Sequence, residues 1–256
     1  MKKPKWIIEK EQARRGAGQA TLWLFGLHAV RDALANPKRV KLRLVVTKNA
    51  LDRLGDAVAA SGLEPEISDP RKFAAPLDPG SVHQGAALEV RPLDWGPLVD
   101  LVQGGGVVLC LDRVTDPHNV GAILRSAEVF GARAVVAPER HAAPETGALA
   151  KSASGALERQ PYLRVKNLSS MMVELRKMGF YLIGLDGTAE SSLETALVEA
   201  KGPVALVLGA EGPGLRDKTK DTCDVLAKID FAGGFGSLNV SNAAAIALYA
   251  AGHVKR

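Results

Sequence analysis

Only two cysteines, Cys110 and Cys223, occur in 256 residues. Neither belongs to a CxxC pair or a Cys/His cluster, which excludes a disulfide framework and a structural zinc site. Aromatic residues are 5% of the chain, too few for platforms built from many stacked rings. No apolar stretch approaches the ~20 residues needed to span a bilayer. Met1 to Arg15 is basic and has no apolar centre of the secretory type. Glu9 and Glu11 speak against a mitochondrial address. A reducing, cytoplasmic setting without membrane or metal is the expectation. Walker GxxxxGK[ST], GxSxG, HExxH and GxGxxG patterns are absent, and the five histidines do not cluster. Nucleotide hydrolysis and classical hydride transfer lose ground accordingly.

What is present is an ordinary globular composition, 46% hydrophobic and 24% charged. At about 150 residues per domain the length suits one large domain or two small ones. The net charge of +5 is concentrated at one end. Residues 1–20 carry six bases (Lys2, Lys3, Lys5, Lys10, Arg14, Arg15) against two acids, Glu9 and Glu11. A basic arm of this kind suits nonspecific attraction to phosphates, and equally suits a solubilising tail.

Leu22 to Ala35 reads as an amphipathic helix and Leu42 to Thr47 as a strand. Residues 50–60 read as a helix with Leu51, Leu54 and Val58 on one face. Strands follow near Glu64–Ser68 and Ala86–Val90, completing a small α/β unit. Arg91 to Gly106 holds two prolines and four glycines and reads as a linker. Beyond it, apolar runs at Val107–Leu111, Ala134–Ala137, Tyr162–Val165, Tyr181–Leu185, Val204–Leu208 and Val225–Ile229 read as buried strands. Helices lie between most of them, clearest at Val120–Phe130 and Leu168–Met178, and Asn239 to Gly252 reads as a last, Ala-rich helix. Such alternation predicts a parallel sheet covered on both faces. Ligands gather beyond the C-terminal ends of such strands, so the loops there are where chemistry is expected.

Three of those loops are rich in polar residues. In the first, Asp112 to Ser126, Asp116 or Asn119 can cap the helix that follows. Val120, Ile123, Leu124, Ala127 and Phe130 form its buried stripe, and Gly131 closes it. Arg125 lies off that stripe. The plain structural account makes Asn119 a cap and Arg125 a solvated residue. In the second, Leu208-Gly209-Ala210-Glu211-Gly212-Pro213-Gly214, three glycines let backbone approach a ligand closely, with Glu211 among them. The third, Gly233 to Asn242, opens the last helix; Ser237, Asn239 or Ser241 can cap it, yet a cap accounts for only one of these small polar residues.

Together the three loops resemble the three motifs of the SpoU/TrmH family of RNA 2′-O-ribose methyltransferases, within the SPOUT superfamily. The carriers are Asp116-Pro117-His118-Asn119-Val120-Gly121 with Arg125-Ser126-Ala127, then Leu208-Gly209-Ala210-Glu211-Gly212, then Ser237-Leu238-Asn239-Val240-Ser241. Order and spacing also match, over residues 107–254. Phe25-Gly26-Leu27-His28-Ala29-Val30 and Val82-His83-Gln84-Gly85 are similar to the L30e-like RNA-binding domain of bacterial enzymes that modify a guanosine in large-subunit ribosomal RNA. One departure stands out: Ile229-Asp230-Phe231 replaces the Ile-Pro of many relatives and adds a carboxylate beside the cofactor loop.

The resemblance implies an α/β knot domain with a parallel sheet over 107–256, preceded by a basic tail (1–20), a smaller L30e-like α/β domain (21–91) and a linker (92–106). It implies S-adenosylmethionine as methyl donor, held at Gly209, Ile229 and Leu238 with their neighbours Leu208 and Gly212. It makes Arg125 the central catalytic residue, with Asn119, Glu211, Ser237 and Asn239 around it. Arg125, His28, His83 and Gln84 are the implied RNA contacts. The implied partners are a second copy in a homodimer and large-subunit ribosomal RNA or its precursor particle. A tRNA or another ribosomal site is the alternative substrate, and a noncatalytic RNA-binding assembly factor is the alternative class.

Overall fold

The computed structural model describes residues 21–78, 80–230 and 238–253. The chain forms two compact units. The first runs to Asp94 and takes in Glu145–Gly147; the second holds Trp95–Pro144 and continues from Ala148.

The first unit contains β1 (Leu22–Phe25), α1 (Leu27–Ala35), β2 (Lys41–Val46), α2 (Lys48–Ser61), β3 (Pro65–Ile67) and β4 (Ala86–Val90). Its sheet runs β1-β4-β2-β3. The pairings of β4 are antiparallel and that of β2 with β3 is parallel. The helix expected over 22–35 is therefore a strand followed by a helix. Gly26, at φ 89°, separates the two, and the apolar side chains of β1 serve the sheet. Thr47 caps α2 by accepting from the Ala50 amide at 3.2 Å. Gly85 packs against that cap: at φ +80° it approaches so closely that a Cβ would lie 2.4 Å from Thr47 Oγ1.

The second unit opens with α3 (Leu98–Leu101), then β5 (Val107–Asp112), α4 (Pro117–Val129), β6 (Ala134–Pro138), α5 (Gly147–Ala153) and β7 (Tyr162–Val165). There follow α6 (Leu168–Lys177), β8 (Tyr181–Leu185), β9 (Ser191–Ser192), α7 (Leu193–Glu199), β10 (Val204–Gly209), α8 (Asp217–Thr222), β11 (Val225–Lys228) and α9 (Val240–His253). Among the described residues its seven strands are all parallel, in the order β7-β6-β5-β10-β8-β11-β9. The stretch read as a linker is only partly one. Leu98 and Val102 are buried in the core of this unit with Val108, Val136, Leu175 and Val207.

Helices cover both faces of the sheet. On one side α6 packs against β5, β6 and β8, and against α8. On the other, α9 packs on β10, α4 and α7. Each fully buried leucine in these layers contributes about 2–3 kcal/mol through area removed from water. Cys110 is such a core residue: it is fully buried, and burial pushes its thiol pKa up to about 12.

The start of α4 shows how sequence sets position. Asp116 accepts from the His118 amide at 2.9 Å, and Pro117 occupies the first turn, where its missing N–H costs nothing. Val120, Ile123, Leu124 and Ala127 are buried, but Phe130, expected on the same stripe, is 39% exposed. It stands at the C-cap, beyond the last packed turn. Gly121 permits close helix contact, since a Cβ there would lie 2.6 Å from the Leu149 carbonyl oxygen.

Candidate active site

β5, β10 and β11 all end at the same edge of the parallel sheet, so the loops leaving them converge. Asp112 terminates β5 with no exposed surface. It accepts from Arg216 Nε at 2.8 Å, from the Arg216 amide at 3.1 Å and from Thr219 Oγ1 at 2.7 Å. This buried carboxylate pins the return of the loop that follows β10, and the polar-loop reading passed over it. Its signal is faint: one acid closing an otherwise apolar strand.

The glycines of the β10 loop have distinct jobs. A Cβ on Gly209 would lie 2.2 Å from the Gly214 carbonyl carbon, so the chain can double back there only without a side chain. Gly214 closes the return, donating its amide to the Ala210 carbonyl at 2.9 Å. Gly212 and Gly214 hold φ of 84° and 68°, a region glycine enters without strain. Tight folding thus explains much of the glycine density.

The same loop walls a cleft of about 210 Å³. Leu208, Gly209, Glu211 and Gly212 line it from β10, and Ile229, Leu238 and Val240 from the β11–α9 side. Leu185, Asp186 and Gly187 complete it from the end of β8. The five residues assigned to the cofactor therefore lie around one cavity, although they span positions 208 to 238. A Cβ on Gly187 or Gly212 would meet nothing, so bare backbone faces the space. Asp186 is a further acid that the motif reading did not include. Lys220 Nζ approaches it at 2.5 Å, and Thr188 donates its amide and hydroxyl at 2.9 and 2.8 Å. The lysine bond, then the threonine bonds, hold its pKa down at about 2.

Asn239 and Asn119 meet although 120 positions separate them: Asn239 Nδ2 donates to Asn119 Oδ1 at 3.0 Å. Asn239 Oδ1 also accepts from the Ser241 amide at 2.9 Å and its hydroxyl at 2.6 Å, the arrangement of a helix cap. Asn119 is not the cap of α4; Asp116 is. Glu211 is exposed at the rim of the cleft. Arg125 is exposed on α4 and makes no hydrogen bond or ion pair among the described residues. Six residues past Asn119, it lies about 120° around the helix from it. Ser237 and the basic tail lie outside the described residues.

In the first unit, Gln84 Oε1 accepts from the Leu27 amide at 3.1 Å and so caps α1. Gln84 holds φ 55°. His83 Nδ1 accepts from the Gly85 amide at 3.1 Å, and its ring stacks on Phe73 with centroids 4.0 Å apart. Partial burial lowers its pKa. Both residues line a second cleft, with Thr47, Lys48 and Asp69. His28 is exposed on α1.

No helix among the described residues is long and apolar enough to cross a membrane. Among the same residues no cluster of three or more His, Cys, Asp or Glu side chains is placed to hold a metal.

A parallel sheet carrying a glycine-walled cleft and paired asparagines at its C-terminal edge defines a ligand-binding site of the α/β class. The chain belongs to the SpoU rRNA Methylase family, whose sequence pattern matches residues 106–249. Residues 23–95 match a second pattern, RNA 2′-O ribose methyltransferase substrate binding. A 23S rRNA (guanosine-2′-O-)-methyltransferase RlmB of Ralstonia nicotianae is 39% identical over 236 residues, covering 89% of this chain and 94% of that one. The SpoU methyltransferase AviRb of Streptomyces viridochromogenes, solved with the cofactor AdoMet, has a TM-score of 0.77 at 23% identity. It covers 95% of this chain and 92% of its own. An AdoMet-bound rRNA methyltransferase from Sinorhizobium meliloti has a TM-score of 0.74 at 25% identity, covering 90% and 86%. The two-part α/β architecture is that of the SPOUT knot enzymes. Residues 231–237, which join β11 towards α9, lie outside the described residues.

Proposed function

We propose that this protein transfers a methyl group from S-adenosylmethionine to the 2′-oxygen of a guanosine ribose in large-subunit ribosomal RNA. The observation that carries it is the single cleft lined by Leu208, Gly209, Gly212, Ile229 and Leu238 at the C-terminal edge of the sheet. The cleft fits the cofactor: bare backbone at Gly187 and Gly212 admits a flat ring, Leu185, Leu208 and Ile229 offer apolar contact, and Asp186 offers a carboxylate to hydroxyls or an ammonium.

When bound, S-adenosylmethionine supplies an electrophilic methyl on a sulfonium centre. The protein has then to align the ribose oxygen and manage one weakly acidic proton. Asn239 spends both ends of its amide on Asn119 and Ser241, which makes it a positioning residue. Asn119 keeps its Nδ2 donor, which makes no bond among the described residues and holds the ribose. Arg125 is a poor base, because a guanidinium resists deprotonation. Its forked donors clamp an adjacent phosphate and stabilise charge developing on the 2′-oxygen. Glu211, at the rim, is the acceptor that orients that fork or the substrate. Ser237 joins the same group by its place in the third motif.

A homodimer accords with the surface. Ile246 and Tyr249 of α9 are 40% and 54% exposed, and Phe130 meets Tyr249 edge-on. Together with Val129 they form an apolar face suited to a second copy. The corresponding place of action is the cytoplasm, and His28, His83 and Gln84 of the first unit are on the RNA side.

The test uses methyl-labelled S-adenosylmethionine with unmodified large-subunit ribosomal RNA, and tRNA in parallel, the label being mapped by digestion and mass spectrometry. Label on one guanosine ribose, lost in Arg125→Ala, is the expected result. Label on tRNA alone moves the substrate, and no label with no cofactor binding removes the enzyme.

A further inference from the structure

Beside the cofactor cleft, on the same edge of the sheet, lies a second cavity of about 260 Å³ over the ends of β5, β6 and β7. Its walls carry Arg113, Arg140, Lys166, Arg216 and Lys218 and, among the described residues, no carboxylate. Arg216 is neutralised by Asp112 at 2.6 Å. The other four are exposed and unpaired with any acid among the described residues.

The floor is polar and unsatisfied. The cavity meets the start of α6, where Asn167 caps by accepting from the Ser170 amide at 3.0 Å. The Leu168 and Ser169 amides before it have no acceptor among the described residues. Ser169 also lines the cavity, is 6% exposed, and its hydroxyl makes no hydrogen bond among those residues. The hydroxyl is therefore open to the cavity rather than sealed in protein, and its donor is available to an occupant. Here orphan amides, a helix N-terminus and four free cations surround it, and each of these favours an oxyanion. Arg113 holds φ 62°, outside the usual range of a long side chain.

We propose that this cavity seats a backbone phosphate of the RNA strand, one flanking the target nucleotide. This rests on the RNA methyltransferase function proposed above and adds to it where the strand runs. β6 and β8, over which the two clefts are centred, are three strand spacings apart, or ~14 Å. A phosphate held over β6 therefore belongs to a neighbour of the nucleotide held beside the cofactor. The site contributes binding and register and takes no part in chemistry.

The experiment measures binding of a large-subunit ribosomal RNA fragment against salt concentration, with S-adenosylmethionine affinity and methyl transfer in parallel. Lys166→Gln/Lys218→Gln should bind RNA roughly tenfold more weakly, with a salt slope shallower by about 0.7, for the one single-strand phosphate that the cavity seats. Ser169→Ala, which alters no charge, should weaken RNA binding about threefold or more with an unchanged slope. KM for RNA should rise while kcat and cofactor affinity hold. Lys177→Gln/Lys201→Gln, which removes two exposed lysines of the second unit at the opposite edge of its sheet, is the control. Equal weakening in control and cleft variants overturns the site, as does unchanged RNA affinity in cleft variants of an active enzyme. Inorganic phosphate binding tighter than about 1 mM, with RNA affinity unchanged in the variants, assigns the cavity to a free anion and also overturns it. A wild type that neither binds nor methylates ribosomal RNA fails at the level of function, and the phosphate seat falls with it.

Discussion

Asp112 and Arg216 carry opposite charges in unlike surroundings. The carboxylate is fully buried, whereas the arginine side chain is 47% exposed. Removing either partner breaks the side-chain ion pair but strands a different charge. Arg216→Met leaves a carboxylate in the interior, at a cost of about 3 kcal/mol or more. Asp112→Asn leaves a cation that water can reach, and should cost less, about 1–2 kcal/mol. Denaturant unfolding of the two variants checks the order. Asp186 gives a second prediction at this scale. Its pKa of about 2 lies below the ordinary 3.8, so the bonds to Lys220 and Thr188 add stability that is complete above about pH 5. That stability is lost as the pH falls towards 2. The stability gap between wild type and Asp186→Asn should therefore be widest at pH 5 and shrink through pH 4 and 3. A gap independent of pH would show that the carboxylate's charge contributes nothing.

Elements meet here through positions that tolerate no side chain. Gly121 lets α4 approach α5 until backbone lies where a Cβ would stand, with the Ser152 side chain and the Ala153 amide also within 2.9 Å. Gly121→Ala should cost about 1–3 kcal/mol by overpacking and lower the melting temperature, although alanine is the better helix former. Gly209→Ala collides with the Gly214 backbone in the cofactor loop itself. It should weaken S-adenosylmethionine binding at least tenfold, read by titration calorimetry, while circular dichroism stays close to wild type. An affinity equal to wild type would mean that the loop can open without cost.

For the whole molecule the informative fact is the division into two units. Among the described residues, the cleft proposed for the cofactor is lined by residues of the second. Ligand binding therefore stabilises that unit directly, by about 2.7 kcal/mol at a hundredfold excess over Kd. Hydrogen exchange with saturating S-adenosylmethionine should slow in β5, β8, β10 and β11. Exchange in β2 and β4 should change far less. Uniform protection of both units would show that they open as one.

Buried parallel strands are unbroken apolar runs, so Val107–Leu111, Ala134–Ala137 and Val204–Leu208 are legible from composition and length alone. Helix signals are equally local: the Asp116-Pro117 start and the Gly131 stop of α4 need no knowledge of the rest of the chain. Where two periodicities adjoin, local reading fails. Leu22–Phe25 continues the apolar pattern of α1, and only its pairing with β4 makes it a strand. The prolines and glycines of 92–106 conceal a turn of helix whose Leu98 is core. Polar loops announce a site, and the three motifs were readable as such. Asp112, Asp186 and the cation-lined cavity were not, because each acquires meaning from neighbours far away in the chain. Asp112 lies 104 residues from Arg216 and Asn119 lies 120 from Asn239. Residue type and short spacing set the elements, the caps and the chemistry available to each loop. Which loops share a cleft depends on strand order, and strand order is decided by packing across the sheet, which leaves no local trace.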